Sequence, residues 1–416
     1  MRLAIVASGD FFSDYGGGQV YVRNIVDEFA RHNEIILNVI SYGDNLKCEV
    51  REYDNAKIYQ VNDESSFRVA LTDIHPDIVH ANGAKLLAAR LCKELDIPCI
   101  VTAHHGGIVC PAGTLLNTDD AICRAAASYD RCLKCYLRNT PTGLFWYPLL
   151  RHYSQKRLVR IGRRLKKLPF VPFLSPIGES GMIVSQKLAD WRELSETATH
   201  FIAPSNAIAE ALILGGCPAE KISVIPHGIP FPESPHSPFT IHHSPFTNFY
   251  YVGRINYVKG IHILLKAFSE IANPDIRLHL IGGAGNKSEQ RYMKRLQRQY
   301  RKDSRIIWHG KIPYNKLPDT VKDFHCLIHP AIYLEVFGLN ISEALAQHKY
   351  VIATRCGGAE MQIHDEDEGL LVKPNDADSL AAAIKRYIGM PKPSRATVRS
   401  IADHTTELTL LYKSHL

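Results

Sequence analysis

Glu335-Val336-Phe337-Gly338-Leu339-Asn340-Ile341-Ser342-Glu343-Ala344 sets two carboxylates eight positions apart around a Phe-Gly break. The run before it, Cys326-Leu327-Ile328-His329-Pro330, is apolar and ends in a turn. The run Glu343-Ala344-Leu345-Ala346 reads as the opening of a helix. Strand, turn and helix in that order put both carboxylates near the C-terminal edge of a parallel sheet, where open α/β sheets bind ligands. Carboxylates suit ribose hydroxyls, which donate hydrogen bonds in pairs. Gly338 lets backbone approach a ligand, and N–H groups at the helix start can meet phosphate. A plainer reading makes Glu343 a helix N-terminal acid that offsets the dipole. The spacing alone does not decide between the two.

Outward from this segment, short apolar runs alternate with amphipathic helical patterns, which predicts parallel α/β sheets. Strands are expected at 3–7, 35–40, 78–80, 99–103 and 201–203, then at 249–252, 277–281, 306–309, 326–329 and 350–353. Between the two sets, Pro230, Pro232, Pro235, Pro238 and Pro245 make an extended connection. His236, His242 and His243 in it could bind metal, but a solvated linker explains them more simply. There is no internal repeat. Two α/β domains with a ligand cleft between them are expected.

The totals agree. The chain has 416 residues, enough for two domains, and 45% hydrophobic content, ordinary for a globular protein. No run reaches the roughly 20 apolar residues that span a bilayer. Met1-Arg2-Leu3-Ala4-Ile5-Val6-Ala7 meets Ser8-Gly9-Asp10 without a small-residue cleavage pattern. It reads as a buried strand and not a signal peptide, so a cytoplasmic location is expected. Ten cysteines in this length do not make a disulfide scaffold. Net charge is +7, yet the stretch between Asp130 and Glu179 holds eleven Lys and Arg and no acid, so the remainder is slightly acidic.

Further motifs cluster at predicted strand ends. Val252-Gly253-Arg254-Ile255-Asn256-Tyr257-Val258-Lys259-Gly260 leaves a strand with two cations beside glycines. Arg254 as a fork and Lys259 as a point charge suit a diphosphate; as surface cations near a turn they would be unremarked. Asp14-Tyr15-Gly16-Gly17-Gly18-Gln19 lies between the first strand and a helix over 20–30, where bare backbone can approach phosphate or sugar. It is neither a Gly-x-Gly-x-x-Gly fingerprint nor a P-loop. Val101-Thr102-Ala103-His104-His105-Gly106-Gly107 ends another strand, and a His there can bond a sugar hydroxyl or merely cap local backbone.

Taken together, these residues resemble the large retaining glycosyltransferase family called group 1 or family 4, over nearly the whole chain. The similarity rests on Ala203-Pro204-Ser205 through Lys221-Ile222-Ser223-Val224-Ile225-Pro226-His227-Gly228-Ile229, on Gly253-Arg254 with Lys259-Gly260, and on Glu335 to Glu343. Gly357-Gly358-Ala359-Glu360 with Gly369-Leu370-Leu371-Val372 completes it. The resemblance implies a GT-B fold, two Rossmann-like doubly wound parallel-sheet domains facing a central cleft. An acceptor-side domain would cover 1–228, with an insertion at about 106–178. A nucleotide-sugar domain would cover 229–399, and a C-terminal helix at about 400–416 would pack back on the first domain. It implies that Arg254 and Lys259 hold the donor diphosphate, Glu343 the ribose and Glu335 the donor sugar. The amides of Phe337, Gly338 and Leu339 would face phosphates or sugar. Gly17 and Gly18 would close over the donor, and His104 would contact the sugar. Transfer in this family proceeds with retention and without a catalytic metal, and the leaving phosphate is a candidate proton acceptor. UDP and GDP donors both fit. Two positions depart from the pattern. Gln347-His348-Lys349-Tyr350 stands where small residues, Gly and Pro are usual, and Ile281-Gly282-Gly283-Ala284-Gly285 replaces Gly-acid-Gly.

Two features lie outside the common core. Cys110, Cys123, Cys132 and Cys135 are spaced C-x12-C-x8-C-x2-C. That spacing suits a structural zinc, with an iron–sulfur cluster, a Cys132–Cys135 disulfide or free thiols as alternatives. Cys48, Cys92, Cys99, Cys217, Cys326 and Cys356 read as small core residues. After them, Leu158, Ile161, Leu165 and Leu168 form an apolar helical stripe among Arg157, Arg160, Arg163, Arg164 and Lys167. Phe145, Trp146, Tyr147, Phe170 and Phe173 flank it. This pattern, at about 145–173, fits an interfacial helix on an anionic membrane in preference to nucleic acid; a solvated helix packed on its own domain is the simpler reading. The expectation is a peripheral enzyme on the inner face of the membrane. It would pass a sugar to a lipid-linked glycan in cell-surface polysaccharide or lipopolysaccharide synthesis. A soluble transferase making a small glycoside or sugar phosphate, or a non-catalytic scaffold, are the alternatives. Oligomeric state is left open.

Overall fold

The computed structural model describes residues 1–13, 16–138, 143–165, 175–230, 245–389 and 392–416, without the side chains of 165 and 175–178. Asp14, Tyr15, Lys166, Lys167, Leu168, Phe170 and Phe173 lie outside the described residues. So do Phe231 to Ser244, with His236, His242, His243 and most of the proline-rich connection.

Eight strands form the first sheet: β1 (Arg2–Ser8), β2 (Ile36–Tyr42), β3 (Glu49–Tyr53), β4 (Ala56–Val61), β5 (Ile78–Ala81), β6 (Cys99–Thr102), β7 (His200–Ala203) and β8 (Ile222–Val224). Their order is β3-β4-β2-β1-β5-β6-β7-β8. All pairings are parallel except β3 with β4. The second sheet has β9 (Thr247–Val252), β10 (Ile276–Ile281), β11 (Ile306–Gly310), β12 (Cys326–His329), β13 (Tyr350–Thr354) and β14 (Leu370–Val372). It is wholly parallel, in the order β11-β10-β9-β12-β13-β14. Leaving out the edge hairpin strand β3, each sheet starts in the order 3-2-1-4-5, that of doubly wound dinucleotide-binding sheets. The ten expected strands are present. The two-domain α/β GT-B architecture follows from these two sheets.

The helices are α1 (Gly17–Phe29), α2 (Glu64–Ile74), α3 (Lys85–Glu94), α4 (Tyr129–Arg138), α5 (Gly143–Leu150), α6 (Gln155–Leu165), α7 (Ser175–Thr197) and α8 (Asn206–Leu214). Then come α9 (Ile261–Ser269), α10 (Lys287–Gln299), α11 (Leu317–Val321), α12 (Leu339–Ala346), α13 (Ala377–Gly389) and α14 (Ile401–Lys413). One compact unit holds Met1–Asp10, Asn33–Val224 and Ser414–Leu416; the other holds Phe11–His32 and Ile225–Lys413. In the second unit α14 packs on α1, with the Tyr412 and Phe29 rings 6.1 Å apart.

Central strands are buried on both faces, as a helix-covered parallel sheet requires. In the second sheet Phe249, Tyr251, Leu278, Leu280, Ile328 and Ile352 point to one core. Their neighbours Tyr250, Leu327 and Val351 point to the other, beneath Ile341 and Leu345 of α12. Each such side chain stabilises by about 1.5–3 kcal/mol on full burial. Local signals agree at the ends: Asp63 caps α2 by accepting from the Ser66 N–H at 2.7 Å, and Asn286 caps α10 by accepting from the Glu289 N–H at 3.0 Å. Among the described residues no helix is long and apolar enough to cross a membrane.

Candidate functional site

In the second sheet the strand order reverses between β9 and β12, the kind of switch point at which open α/β sheets bind ligands. Both predicted motifs occupy the loops that leave these two strands. Arg254 and Lys259 lie between β9 and α9, and Glu335 lies between β12 and α12. The loops are tied together closely. The Ile332 N–H donates to Val258 O at 2.9 Å, and Asn340 Nδ2 donates to Val252 O at 3.0 Å.

Lys259 Nζ donates to Glu335 Oε2 at 2.5 Å, with the two side chains 22% and 9% exposed. His329 Nε2 stands 3.3 Å from the same oxygen, and the Tyr333 ring lies 5.2 Å from Nζ. Burial by itself would raise the Glu335 carboxyl. Lys259 and His329 together outweigh it and hold the group well below the usual carboxylate range. Burial likewise opposes the Lys259 charge, but Glu335, then Tyr333 and Tyr251, raise the ammonium well above its ordinary value. The linkage has two signs. The contribution of Glu335 is complete above its ordinary 4.5 and is lost as pH falls through its depressed folded value. That of Lys259 is complete below its ordinary 10.5 and is lost as pH rises through its elevated one. Urea unfolding at stepped pH should therefore show wild type losing stability in acid faster than a Lys259→Met/Glu335→Gln variant. Parallel acid limbs would contradict this.

Arg254 is held by a residue the sequence reading missed. Its Nε donates to Glu289 Oε2 at 2.8 Å and its Nη2 lies 2.7 Å from Oε1. Glu289 also accepts from the Gly285 N–H at 2.7 Å. Burial raises the Glu289 carboxyl, yet the bonds from Arg254 and Gly285 bring it below its ordinary value. An acid from the first turn of α10 thus braces the Gly282–Gly285 loop, where the family pattern has an acid within the loop itself.

Glu335 is fixed through its backbone. Its N–H donates to Cys356 O at 2.8 Å, and its carbonyl accepts from Gly358 N–H at 2.9 Å. Gln362, also missed, locks the next residues: its Nε2 donates to Phe337 O at 2.6 Å and to Gly358 O at 3.2 Å. Phe337 is buried, 5.3 Å from the His227 ring; His227 lies 4.1 Å from the Tyr21 ring, and Tyr21 Oη bonds His404 Nε2 at 2.9 Å. Gly338 takes φ +85 at the N-cap of α12, a conformation open to glycine. The amides of 337–339 thereby lie at a helix start. A Cβ on Gly17 would meet Leu339 Cδ1 at 3.7 Å, and one on Gly18 would meet nothing within 4 Å.

The helix begins at Leu339, so Glu343 lies in its second turn and is not the N-terminal acid that the plainer reading made it. Tyr314 Oη donates to Glu343 Oε1 at 2.9 Å. Burial raises the Glu343 carboxyl, and the Tyr314 bond partly offsets the rise. The unusual Gln347–Tyr350 turn also resolves: His348 takes φ +55 where glycine is usual, and Lys349 Nζ donates to Lys322 O.

His104 belongs to the other unit. It follows β6, and its Nε2 bonds Asn82 Oδ1 at 2.6 Å at the end of β5. Lys85 Nζ donates to Asn82 O at 2.6 Å. No carboxylate pairs with Lys85 among the described residues, and burial pulls its ammonium down to about 8. Burial, helped by Lys85 and Lys187, pushes His105 down to about 4. Cys110, Cys123, Cys132 and Cys135 line one cavity in this unit. Burial pushes the Cys132 thiol up to about 11, with the nearby thiols adding to the rise. Among the described residues no three His, Cys, Asp or Glu side chains are drawn to metal-holding distance. Of the other six cysteines five are buried, but Cys48 is exposed and not in the core, because it stands in the polar turn before β3.

Residues 242–403 match the family model described as glycosyl transferases group 1. A D-inositol 3-phosphate glycosyltransferase of Segniliparus rotundus is 30% identical over 158 residues, covering 37% of this chain and 35% of that protein. The human GDP-Man:Man(3)GlcNAc(2)-PP-Dol alpha-1,2-mannosyltransferase is 24% identical over 180 residues, 38% of this chain and 36% of that one. The chain thus spans about a third of the length of these curated relatives. Anabaena HepE, solved with UDP and glucose, shares the fold over 100% of both chains at a TM-score of 0.66 and 17% identity. Residues 242–403 thus match the group 1 glycosyl transferases, and the two doubly wound sheets have the GT-B fold.

Proposed function

We propose that this protein transfers a sugar from a nucleoside-diphosphate donor to a glycan acceptor with retention of configuration. The observation that carries the reading is the gathering of Lys259, Glu335 and the 337–339 amides on the loops that leave β9 and β12, with Arg254 on the same β9 loop. Each cation is engaged by a carboxylate, Lys259 by Glu335 and Arg254 by Glu289. A donor diphosphate would exchange for part of these contacts, and both cations would then offset the charge of the departing group. The α12 amides would meet its oxygens and Glu343 its ribose hydroxyls. Glu335 would remain beside the sugar, and Gly17 and Gly18 would admit the donor closely. His104, in the other unit, would contact the sugar. No step needs a catalytic metal.

The test is thermal unfolding with UDP, GDP and ADP at matched concentrations. A ligand that binds only the native state at a hundred times its Kd stabilises by about 2.7 kcal/mol. One nucleotide should raise Tm and define the donor for transfer assays. No rise with any of them, together with neither transfer nor donor hydrolysis across a panel of nucleotide sugars, would overturn the proposal.

For the acceptor, a lipid-linked glycan is supported by α5 and α6. They expose Leu144, Phe145, Leu149 and Ile161 beside Arg157, Arg160, Arg163 and Arg164, a surface suited to anionic lipid. On this reading the enzyme works on the inner face of a membrane. A second reading, a soluble enzyme acting on a small phosphate-bearing acceptor, is favoured by Lys85, a half-buried cation that bonds the same Asn82 as His104 and has no carboxylate partner among the described residues. Sedimentation with phosphatidylglycerol vesicles separates them. Salt-sensitive pelleting supports the first, and protein left in the supernatant the second.

A further inference from the structure

The insertion after β6 brings its cysteines to one place from two directions. Cys110 follows the short turn Gly106–Ile108, with its N–H donating to Gly106 O at 2.9 Å. The chain returns through a bridge between Leu116 and Ile122, after which the Cys123 N–H donates to Leu115 O at 2.7 Å. Cys132 and Cys135 stand three apart on α4 and so share a face. All four line a single cavity of about 30 Å³, with no three of their sulfurs yet at metal-holding distance, so an ion would have to draw them in. Its other walls are apolar, Leu115 and Leu214 among them, apart from Arg131. Neither carboxylate nor imidazole lines it.

A space this small has room for one water or one ion, and a water needs two to four good polar partners. Thiols are weak ones. A donor set of four sulfurs with no oxygen or nitrogen selects a thiophilic ion that accepts tetrahedral geometry. We propose that Cys110, Cys123, Cys132 and Cys135 bind one structural zinc ion. Binding takes the thiolates, so four protons leave to solvent and the Zn²⁺ centre carries two net negative charges. Arg131 on the cavity wall offsets part of that charge. The ion joins the loop beside His104 and His105 to α4. α4 in turn packs on α5 and α7 and contributes Cys132, Leu133 and Leu137 to a small core with Leu158 of α6. Zinc is thus the link between the edge of the first sheet and the basic helices.

This inference does not depend on sugar transfer, since it is read from metal content. The full chain, purified without chelator or metal-charged resin, should carry one zinc per chain by mass spectrometry. A mercurial should release it, and all ten cysteines should titrate as thiols in denaturant. Cys132→Ser should lose the zinc and Cys48→Ser should keep it; if Cys132→Ser fails to fold, the wild-type measurement decides alone. Zinc-free wild-type protein, iron with visible charge-transfer absorption, a thiol count two short of ten, or a folded Cys132→Ser that retains zinc would each overturn the proposal.

Discussion

Lys259→Met is expected to cut transfer by roughly 10²–10³-fold, the usual effect of removing one donor aimed at developing charge. It is also expected to destabilise the fold, by about 3–5 kcal/mol, because it leaves a buried carboxylate without its counter-ion. Both effects come from one geometry. Glu335 is 9% exposed, and its charge is maintained by Lys259 and His329 against burial. Without the ammonium, Glu335 either stays charged at a large desolvation penalty or takes up a proton. Adding Glu335→Gln should restore most of the stability, since replacing both members of a buried pair is often close to neutral. It should restore none of the activity. Urea unfolding and initial-rate assays on the three proteins decide the matter. A Lys259→Met protein as stable as wild type would show that the pair is not coupled as described, and one as active would remove Lys259 from the donor site.

Gly260→Ala is expected to be still more damaging to the fold, with a loss of more than about 4 kcal/mol, in the range that marks a backbone conflict. Gly260 has φ +71, which alone disfavours alanine by about 1–2 kcal/mol. The added Cβ would also lie 1.8 Å from Pro330 O and 3.4 Å from Ile332 Cγ2. A main-chain carbonyl at the end of β12 has no rotamer by which to withdraw. Relief requires the β9 and β12 loops to part, and those loops carry Lys259 and Glu335. Gly18→Ala is the control, because its Cβ meets nothing within 4 Å. Denaturant midpoints of the two variants should differ widely; a Gly260→Ala midpoint within error of wild type would refute the close approach.

The residues that announce the fold are those whose burial is two-sided. Runs such as Cys326–His329 and Tyr350–Thr354 are apolar throughout because helices cover both faces, and they are legible without any partner. Four strands escaped notice, and β4, although buried at five of its six positions, has its apolar run broken by Lys57 and Gln60. β3 is largely exposed, with Arg51 and Glu52 in its five residues, and β8 and β14 have only three residues each. The site shows the same division. Lys259, Glu335 and Glu343 stand in ordered motifs. Glu289, Gln362 and Tyr314 act across 20 to 35 positions through side-chain bonds that no local pattern encodes. Position 281–285 illustrates the limit of motif reading: the acid absent from the loop is supplied by Glu289, four residues further on from Gly285. Glu343 was legible as a carboxylate on a helix that follows a strand and turn, but its turn within α12 depended on where Gly338 starts the helix.

The second compact unit is assembled from an early segment and a late one. Phe11–His32 is synthesised long before α14 (Ile401–Lys413). Yet Tyr21 bonds His404 across 383 positions, and the Phe29 ring packs with that of Tyr412. During synthesis, at about 5–20 residues per second, α1 therefore waits some tens of seconds for the helix that covers it. This unit cannot reach its finished state before α14 has been made. A translation product that stalls before Ile401 would present an uncovered α1 to the chaperones that survey nascent proteins.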